Sequence, residues 1–280
     1  MEAIYSLMDT CLPFAWAGHT FMKHAFLAVL LVMPLFGLLS TMVVSNRMAF
    51  FSDSLGHGAF TGIAIGVLVG SVSPLLSLIV FSVLFALFIT YIKNKSSAST
   101  DTIIGVFSSM AIAVGLMIMS YGGSFNKFSS YLVGDILSIA PEELGALLVV
   151  FLLVLVVWSV LFNRLLVLSI NPSFARSRGV NSFWAESLFA ATLAVVVSIS
   201  IQWVGILIIN AMLVLPAAAA RNVSSNVKQY HLLSVLIAWA AGITGLILAY
   251  YFNMAAGAAI VVISAGFFFL TLLLKPYFVR

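Results

Sequence analysis

An acid and an imidazole stand four residues apart in Ser52-Asp53-Ser54-Leu55-Gly56-His57-Gly58. On a helix, residues at that spacing share a face. A carboxylate oxygen and an imidazole nitrogen presented together suit a divalent transition metal such as zinc or manganese. Two other readings stand beside this one. Asp53 is also of a type that caps a helix N-terminus, in a run rich in capping residues, and His57 is equally readable as a core imidazole bonded to a backbone carbonyl.

The other ionisable groups divide by position. Asp135, in Tyr131-Leu-Val-Gly-Asp-Ile-Leu137, follows a glycine that lets the backbone turn. It reads either as an acid dipping into a cavity or as an exposed loop acid or helix cap. Glu142 and Glu143 follow Pro141 at a helix start, where negative charge suits the dipole. Asp101 reads as a cap, and Glu186 is ambiguous. Asn210 lies mid-segment and needs a partner, which either interhelical bonding or a pore supplies. His19, His24 and His231 have no carboxylate at helical spacing and read as interfacial.

The elements that must carry these groups follow from composition. Only 7% of the 280 residues are charged and 63% are hydrophobic, against roughly 25% charged in a soluble domain. A single cysteine, Cys11, excludes a disulfide framework and a cysteine metal cage. The chain reads as an all-α, polytopic transmembrane bundle. About 20 apolar residues cross the hydrocarbon core, and nine segments qualify: 24–45, 50–70, 74–92, 102–120, 144–163, 183–201, 203–220, 231–252 and 256–274. The count falls to eight if one marginal segment only lies in the interface. Ser71-Val72-Ser73-Pro74, Gln202-Trp203 and Asn253 are expected to close tight connections. The N-terminus, with Phe14 and Trp16, reads as an interfacial lead-in and not a cleaved signal.

Arg47, Lys93, Lys95, Arg164, Arg176, Arg178, Arg221, Lys228, Lys275 and Arg280 fall on one side of the nine-span arrangement, and only Lys23 and Lys127 on the other. Basic residues favour the cytoplasmic side, which puts the N-terminus outside and the C-terminus inside. The net charge of +4 is thereby a topology signal and no sign of nucleic-acid binding. Residues 121–143 form a long outer connection, expected to be a re-entrant turn or short surface helix. On the inner side, Phe174, Ala175 and Val180 after Pro172 fit a short amphipathic helix ending near Gly179. It suits either a cytoplasmic partner or the lipid headgroups. A charge at bilayer depth costs about 2.5–3.5 kcal/mol on insertion scales, so Asp53 is a functional candidate by default. No Ser/His/Asp set, HExxH or CxxC is present. The chain also has no G-x-x-x-x-G-K-[ST] loop, so any energy from ATP must come from a partner.

Four motifs in order resemble the permease subunit of the bacterial zinc/manganese ABC importer family. They are Asn46-Arg-Met-Ala-Phe-Phe-Ser-Asp-Ser-Leu-Gly-His57, Tyr131-Leu-Val-Gly-Asp-Ile-Leu137, Asn171-Pro-Ser-Phe-Ala-Arg-Ser-Arg-Gly179, and Val204-Gly-Ile-Leu-Ile-Ile-Asn-Ala-Met-Leu-Val-Leu-Pro-Ala-Ala-Ala-Ala-Arg221. The resemblance implies a type II ABC importer-like fold, with residues 1–280 as one permease domain of the bacterial cytoplasmic (inner) membrane. It also implies a homodimer, cytoplasmic ATP-binding subunits that hydrolyse ATP in place of this chain, and an extracytoplasmic metal-binding protein. Zn2+ or Mn2+ is then cargo and no cofactor is permanently bound. The family's metal-contacting acid and imidazole fall on Asp53 and His57, with Asp135 as a further candidate. Residues 171–184, with Pro172, Phe174, Ala175, Arg176, Arg178 and Gly179, resemble the helix that couples to the ATPase. Two departures stand out. The family's frequent Ser-His-Ala is Gly56-His57-Gly58, expected to loosen the helix, and its frequent acid before the coupling segment is Asn171. The motif at Tyr131 looks more like the zinc-type members, so zinc is favoured over manganese. An ion-coupled secondary carrier using Asp53 is the alternative; such carriers often show internal repeats and more intramembrane acids.

Overall fold

The computed structural model describes residues 2–11, 14–70, 73–122 and 134–278, and no strand occurs among them. In chain order the helices are α1 (Glu2–Cys11), α2 (Thr20–Ser45), α3 (Ala49–Val69), α4 (Pro74–Lys95), α5 (Thr100–Gly122), α6 (Pro141–Ile170), α7 (Pro172–Ser177), α8 (Ser182–Val204), α9 (Ile206–Met212), α10 (Leu215–Val223), α11 (Val227–Phe252) and α12 (Ala256–Phe278). Short 3-10 turns cover Ala15–Gly18 and Ile136–Ser138. Residues Tyr131–Val133 of the second motif, and most of the long outer connection, lie outside the described residues.

The bundle is a multi-pass membrane fold, with a correction to the span count. Seven described helices are long and apolar enough to cross a membrane, α2, α4, α5, α6, α8, α11 and α12, where the sequence predicts nine. The two remaining segments differ for separate reasons. Helix α3 has 21 residues, about 30 Å at 1.5 Å per residue, so it is long enough. Its first half, with Asp53 and His57, is too polar to match the other seven. The segment expected as one span at 203–220 is interrupted. Helix α8 continues through Gln202 and Trp203 to Val204, and the turn falls on Gly205 at φ +82°. Helix α9 then ends at Met212 and α10 starts at Leu215, with Pro216 in its first turn. Proline has no N–H and crowds the preceding turn, so the helix restarts there. At the N-terminus, Trp16 is buried, its ring centroid 5.4 Å from that of Phe26, while Phe14 is exposed.

Two compact units divide the chain. One comprises 42–132 and 154–202. Within it α3 packs on both α4 and α5. A row of small residues sets the α4 contact. A Cβ built on Gly58 would lie 2.8 Å from the Phe85 ring, one on Gly62 3.0 Å from the Leu78 Cα, and one on Gly66 2.7 Å from the Ser77 Cβ. Residues at four-residue spacing line one helix face, and small ones there let backbones approach. The Ser77 hydroxyl uses that closeness, donating to the Gly62 carbonyl at 2.8 Å.

The other unit comprises 1–41, 133–153 and 203–280. Here α11 packs on α10 and α12. The α2–α11 contact is built on Gly37, whose absent Cβ would stand 2.7 Å from the Val235 Cα. The Ser234 and Ser40 hydroxyls both donate to the Gly37 carbonyl, at 2.7 and 3.0 Å, and the Ser234 bond crosses from α11 to α2. Gly134 has φ +69°, and its Cβ would fall 2.3 Å from the Gly205 backbone nitrogen, so only glycine fits.

Replacing Gly62 with Val forces α3 off the α4 backbone. We expect about 1–3 kcal/mol of destabilisation, read as a lower midpoint of thermal aggregation in detergent. Gly145→Ala, where an added Cβ meets nothing within 4 Å, should be neutral or stabilising by up to about 1 kcal/mol. Equal losses from both would refute the seam.

Candidate functional site

The glycine row points one face of α3 at α4; the row 53-57-61, offset around the helix, faces α5. At its far end the Thr61 hydroxyl donates to the Ala111 carbonyl. There the helices nearly touch, since a Cβ on Gly115 would lie 3.2 Å from the Thr61 Cα. Toward the helix N-termini they part around a groove of about 360 Å³ lined by Asp53, His57, Asp101, Gly105, Ser108 and Ser109 among others.

Asp53 and His57 meet in that groove, with carboxylate Oδ2 and imidazole Nε2 3.4 Å apart and side chains 46% and 34% exposed. This geometry rules out two of the earlier readings. Met48 occupies the N-cap position of α3 and the first turn holds no acid, so Asp53 is not its cap. His57 is open to the groove and faces a carboxylate, so it is not a core imidazole. Gly58 does not merely loosen the helix, because the space beside it is filled by the Phe85 ring.

The groove also holds a residue that sequence reasoning passed over. Asp101 reads as a cap, yet Ser99 does that work, its Oγ accepting from the Thr102 N–H at 3.2 Å. Asp101 instead lines the groove together with Gly105, Ser108 and Ser109. The spacing 101-105-108 is a helical face and was the available signal. Among the described residues no three His, Cys, Asp or Glu side chains converge closely enough to hold a metal ion together. The groove therefore presents an acid–imidazole pair with a second acid across it.

The other candidates lie elsewhere. Asp135 uses its carboxylate within its own turn, accepting from the Leu137 N–H at 3.0 Å and from the Ser138 hydroxyl. Glu143 accepts from the Ala140 N–H at 2.8 Å, closing the start of α6, and from the Trp203 indole at 3.0 Å. Glu142 lies in the same first turn. Asn210 is half-buried in α9. His24 bonds Tyr5 at 2.5 Å, His19 stacks with Phe21, and His231 Nδ1 lies 2.8 Å from the Val227 carbonyl. Glu186 forms an ion pair with Lys93 at 2.9 Å. That pair spans 93 positions, and no local pattern in the sequence announces it.

The segment after α6 is a short helix, α7, held at both ends. Asn171 accepts from the Ser173 and Phe174 N–H groups, each at 3.0 Å, so the missing acid is replaced by a neutral cap. Gly179, at φ +75°, ends the turn. Ala175 is buried, Phe174 is exposed, and the Arg178 guanidinium stands 5.3 Å from the Phe174 ring centre. Pro172, Arg176 and Gly179 line a polar cavity beside it.

Comparison with known proteins fixes the family. Residues 18–275 match the model of the ABC 3 transport family. The chain belongs to that family. The manganese import system permease protein ScaB of Streptococcus gordonii is 30% identical over 85% of this chain and 85% of its own length. The high-affinity zinc uptake system membrane protein ZnuB of Buchnera aphidicola is 28% identical over 82% of this chain and 88% of its own. Among solved structures, PsaBC from Streptococcus pneumoniae in complex with Fab aligns with a TM-score of 0.80 and 28% identity, covering 97% of this chain and 95% of that one. As a family member the chain is a membrane permease subunit and not itself an enzyme, which disfavours the ion-coupled carrier.

The cap on α7 is open to test. Asn171→Ala should cost about 1 kcal/mol, seen as faster amide exchange at Ser173 and Phe174, while Asn171→Asp should keep the protection. Unchanged exchange in Asn171→Ala would show that packing of Ala175 alone holds the helix.

Proposed function

We propose that this chain is the permease subunit of an ATP-driven importer that moves a divalent transition metal across the cytoplasmic membrane, zinc first and manganese next. The observation that carries the proposal is the Asp53–His57 pair set in a groove that also holds Asp101, Ser108 and Ser109, on a helix otherwise packed among apolar ones. Both ions accept mixed nitrogen and oxygen donors, and the intrinsic affinity order places zinc above manganese. The relatives named above include permeases of both manganese and zinc systems.

In this reading two permease copies flank the path, and an extracytoplasmic metal-binding protein delivers the ion to them. The basic residues put the N-terminus outside and the C-terminus inside, with α3 and the broken α9–α10 segment counted as crossings. Asp53 and His57 hold the cation briefly, with water or the second copy completing its coordination. A path needs a site that lets go, and two ligands per chain release more readily than a full cage. Asp135 is the further candidate ligand, its carboxylate also accepting from the Leu137 N–H and the Ser138 hydroxyl. Cytoplasmic ATP-binding subunits engage 171–184 through exposed Phe174 and the basic Arg176 and Arg178, and their closure reverses access.

The test is uptake of radiolabelled zinc and manganese by cells expressing Asp53→Ala, His57→Ala or the wild type at equal levels. Even outer-shell changes cost about 10–100-fold in metal affinity, so loss of a direct ligand should slow uptake at least about tenfold. Wild-type rates in both variants would remove the pair from the path.

A further inference from the structure

The ion pair between Lys93 and Glu186 has no part in the site described so far, yet it stands between that site and the α7 segment. Lys93 lies in the last turn of α4 and Glu186 in the first turns of α8. Their charged atoms are 2.9 Å apart, with the side chains 25% and 14% exposed. Asn94 supports the carboxylate from the same end of α4, at 3.4 Å. The two residues line cavities on both of their sides. One, of about 660 Å³, is shared with Pro172, Arg176 and Gly179 of the α7 segment. The other is a small cleft shared with Met48, Phe51 and Ile104. Ile104 in turn lines the groove that holds Asp53 and His57. Shared cavity walls, bridged by the Lys93–Glu186 ion pair, thus lead from α7 to the wall of the groove, all within one compact unit.

We infer that Lys93 and Glu186 are positioning residues that tie the start of α8 to the end of α4, so that a displacement of α7 is carried into the α3–α4–α5 group. The inference rests on the metal-import reading above. Helix α4 is the natural receiver because its Phe85, Leu78 and Ser77 sit directly against the glycine face of α3. A shift of α4 at that close seam has no slack to absorb it, so it turns or translates α3 and changes what Asp53 and His57 face. A half-buried ion pair suits this duty because it is directional and resists being pulled apart where water is scarce. Spatial continuity alone does not prove coupling, so the test must separate coupling from folding.

The full transporter, permease with its ATP-binding subunits and metal-delivery protein, is reconstituted in lipid vesicles, and zinc uptake and ATP hydrolysis are measured together. Glu186→Gln and Lys93→Met should hydrolyse ATP and bind zinc at equilibrium as the wild type does. Ions moved per ATP should fall about fivefold or more, the span expected when a coupling free energy is lost. The reversed pair, Lys93→Glu with Glu186→Lys, should recover most of that ratio, which a purely structural role would not require. If the single variants fail to accumulate, the reversed pair decides alone. Accumulation with a near wild-type ratio supports the tie, and accumulation with a collapsed ratio overturns it. Single variants with an unchanged ratio also overturn it. Wild-type vesicles that move neither zinc nor manganese would refute the import reading itself, separately from the pair.

Discussion

The rotation of α3 about its own axis is the constraint from which the site follows. Gly58, Gly62 and Gly66 let α4 come so close that no other face of α3 fits there without clashing. A helix turns about 100° per residue, so once that face is committed, positions 53, 57 and 61 have only one direction in which to point. They point at α5. Thr61 closes the far end of the interface against Ala111, and the opening left nearer the helix start is where the carboxylate and imidazole meet. Without the glycine seam the same two side chains would still be four residues apart, but nothing would fix what they face.

Charge in an apolar bundle is handled in two ways here. Some ionisable groups are neutralised by partners. Lys23, buried in α2, takes Asp9 at 2.6 Å, Glu186 takes Lys93, and Glu143 is held by an amide and an indole. Others line a groove, as with Asp53, His57 and Asp101, the first two paired with each other. The first group holds elements together. The second lines the groove, and among the described residues no third donor converges with the pair.

Legibility in the sequence was uneven, for identifiable reasons. The long apolar helices were plain because twenty consecutive apolar residues have few other solutions. The start and stop of α7 are plain too, since Pro172 and Gly179 act locally, whereas the Asn171 cap is seen only in the structure. The span expected at 203–220 was misjudged because hydropathy is blind to backbone continuity, and the chain turns at Gly205 and restarts before Pro216. Helix α3 is long enough but falls outside the seven, since Asp53, His57 and neighbouring serines and glycines occupy its first half. Asp101 reads as a cap because the sequence does not say that Ser99 already fills that role.

By itself the sequence determined the class of molecule, the types and spacing of the donors, and the family motifs that run in order along the chain. These rest on composition and on local periodicity, which need no partner to be read. Only the tertiary structure decided that Asp53 is a groove residue and not a cap, that Asp135 is spent on its own turn, and that Glu186 answers to Lys93. The groove and the ion pair depend on which helix lies beside which, settled by packing between residues far apart in the chain, whereas the Asp135 bonds are local and depend on the backbone turn taken there.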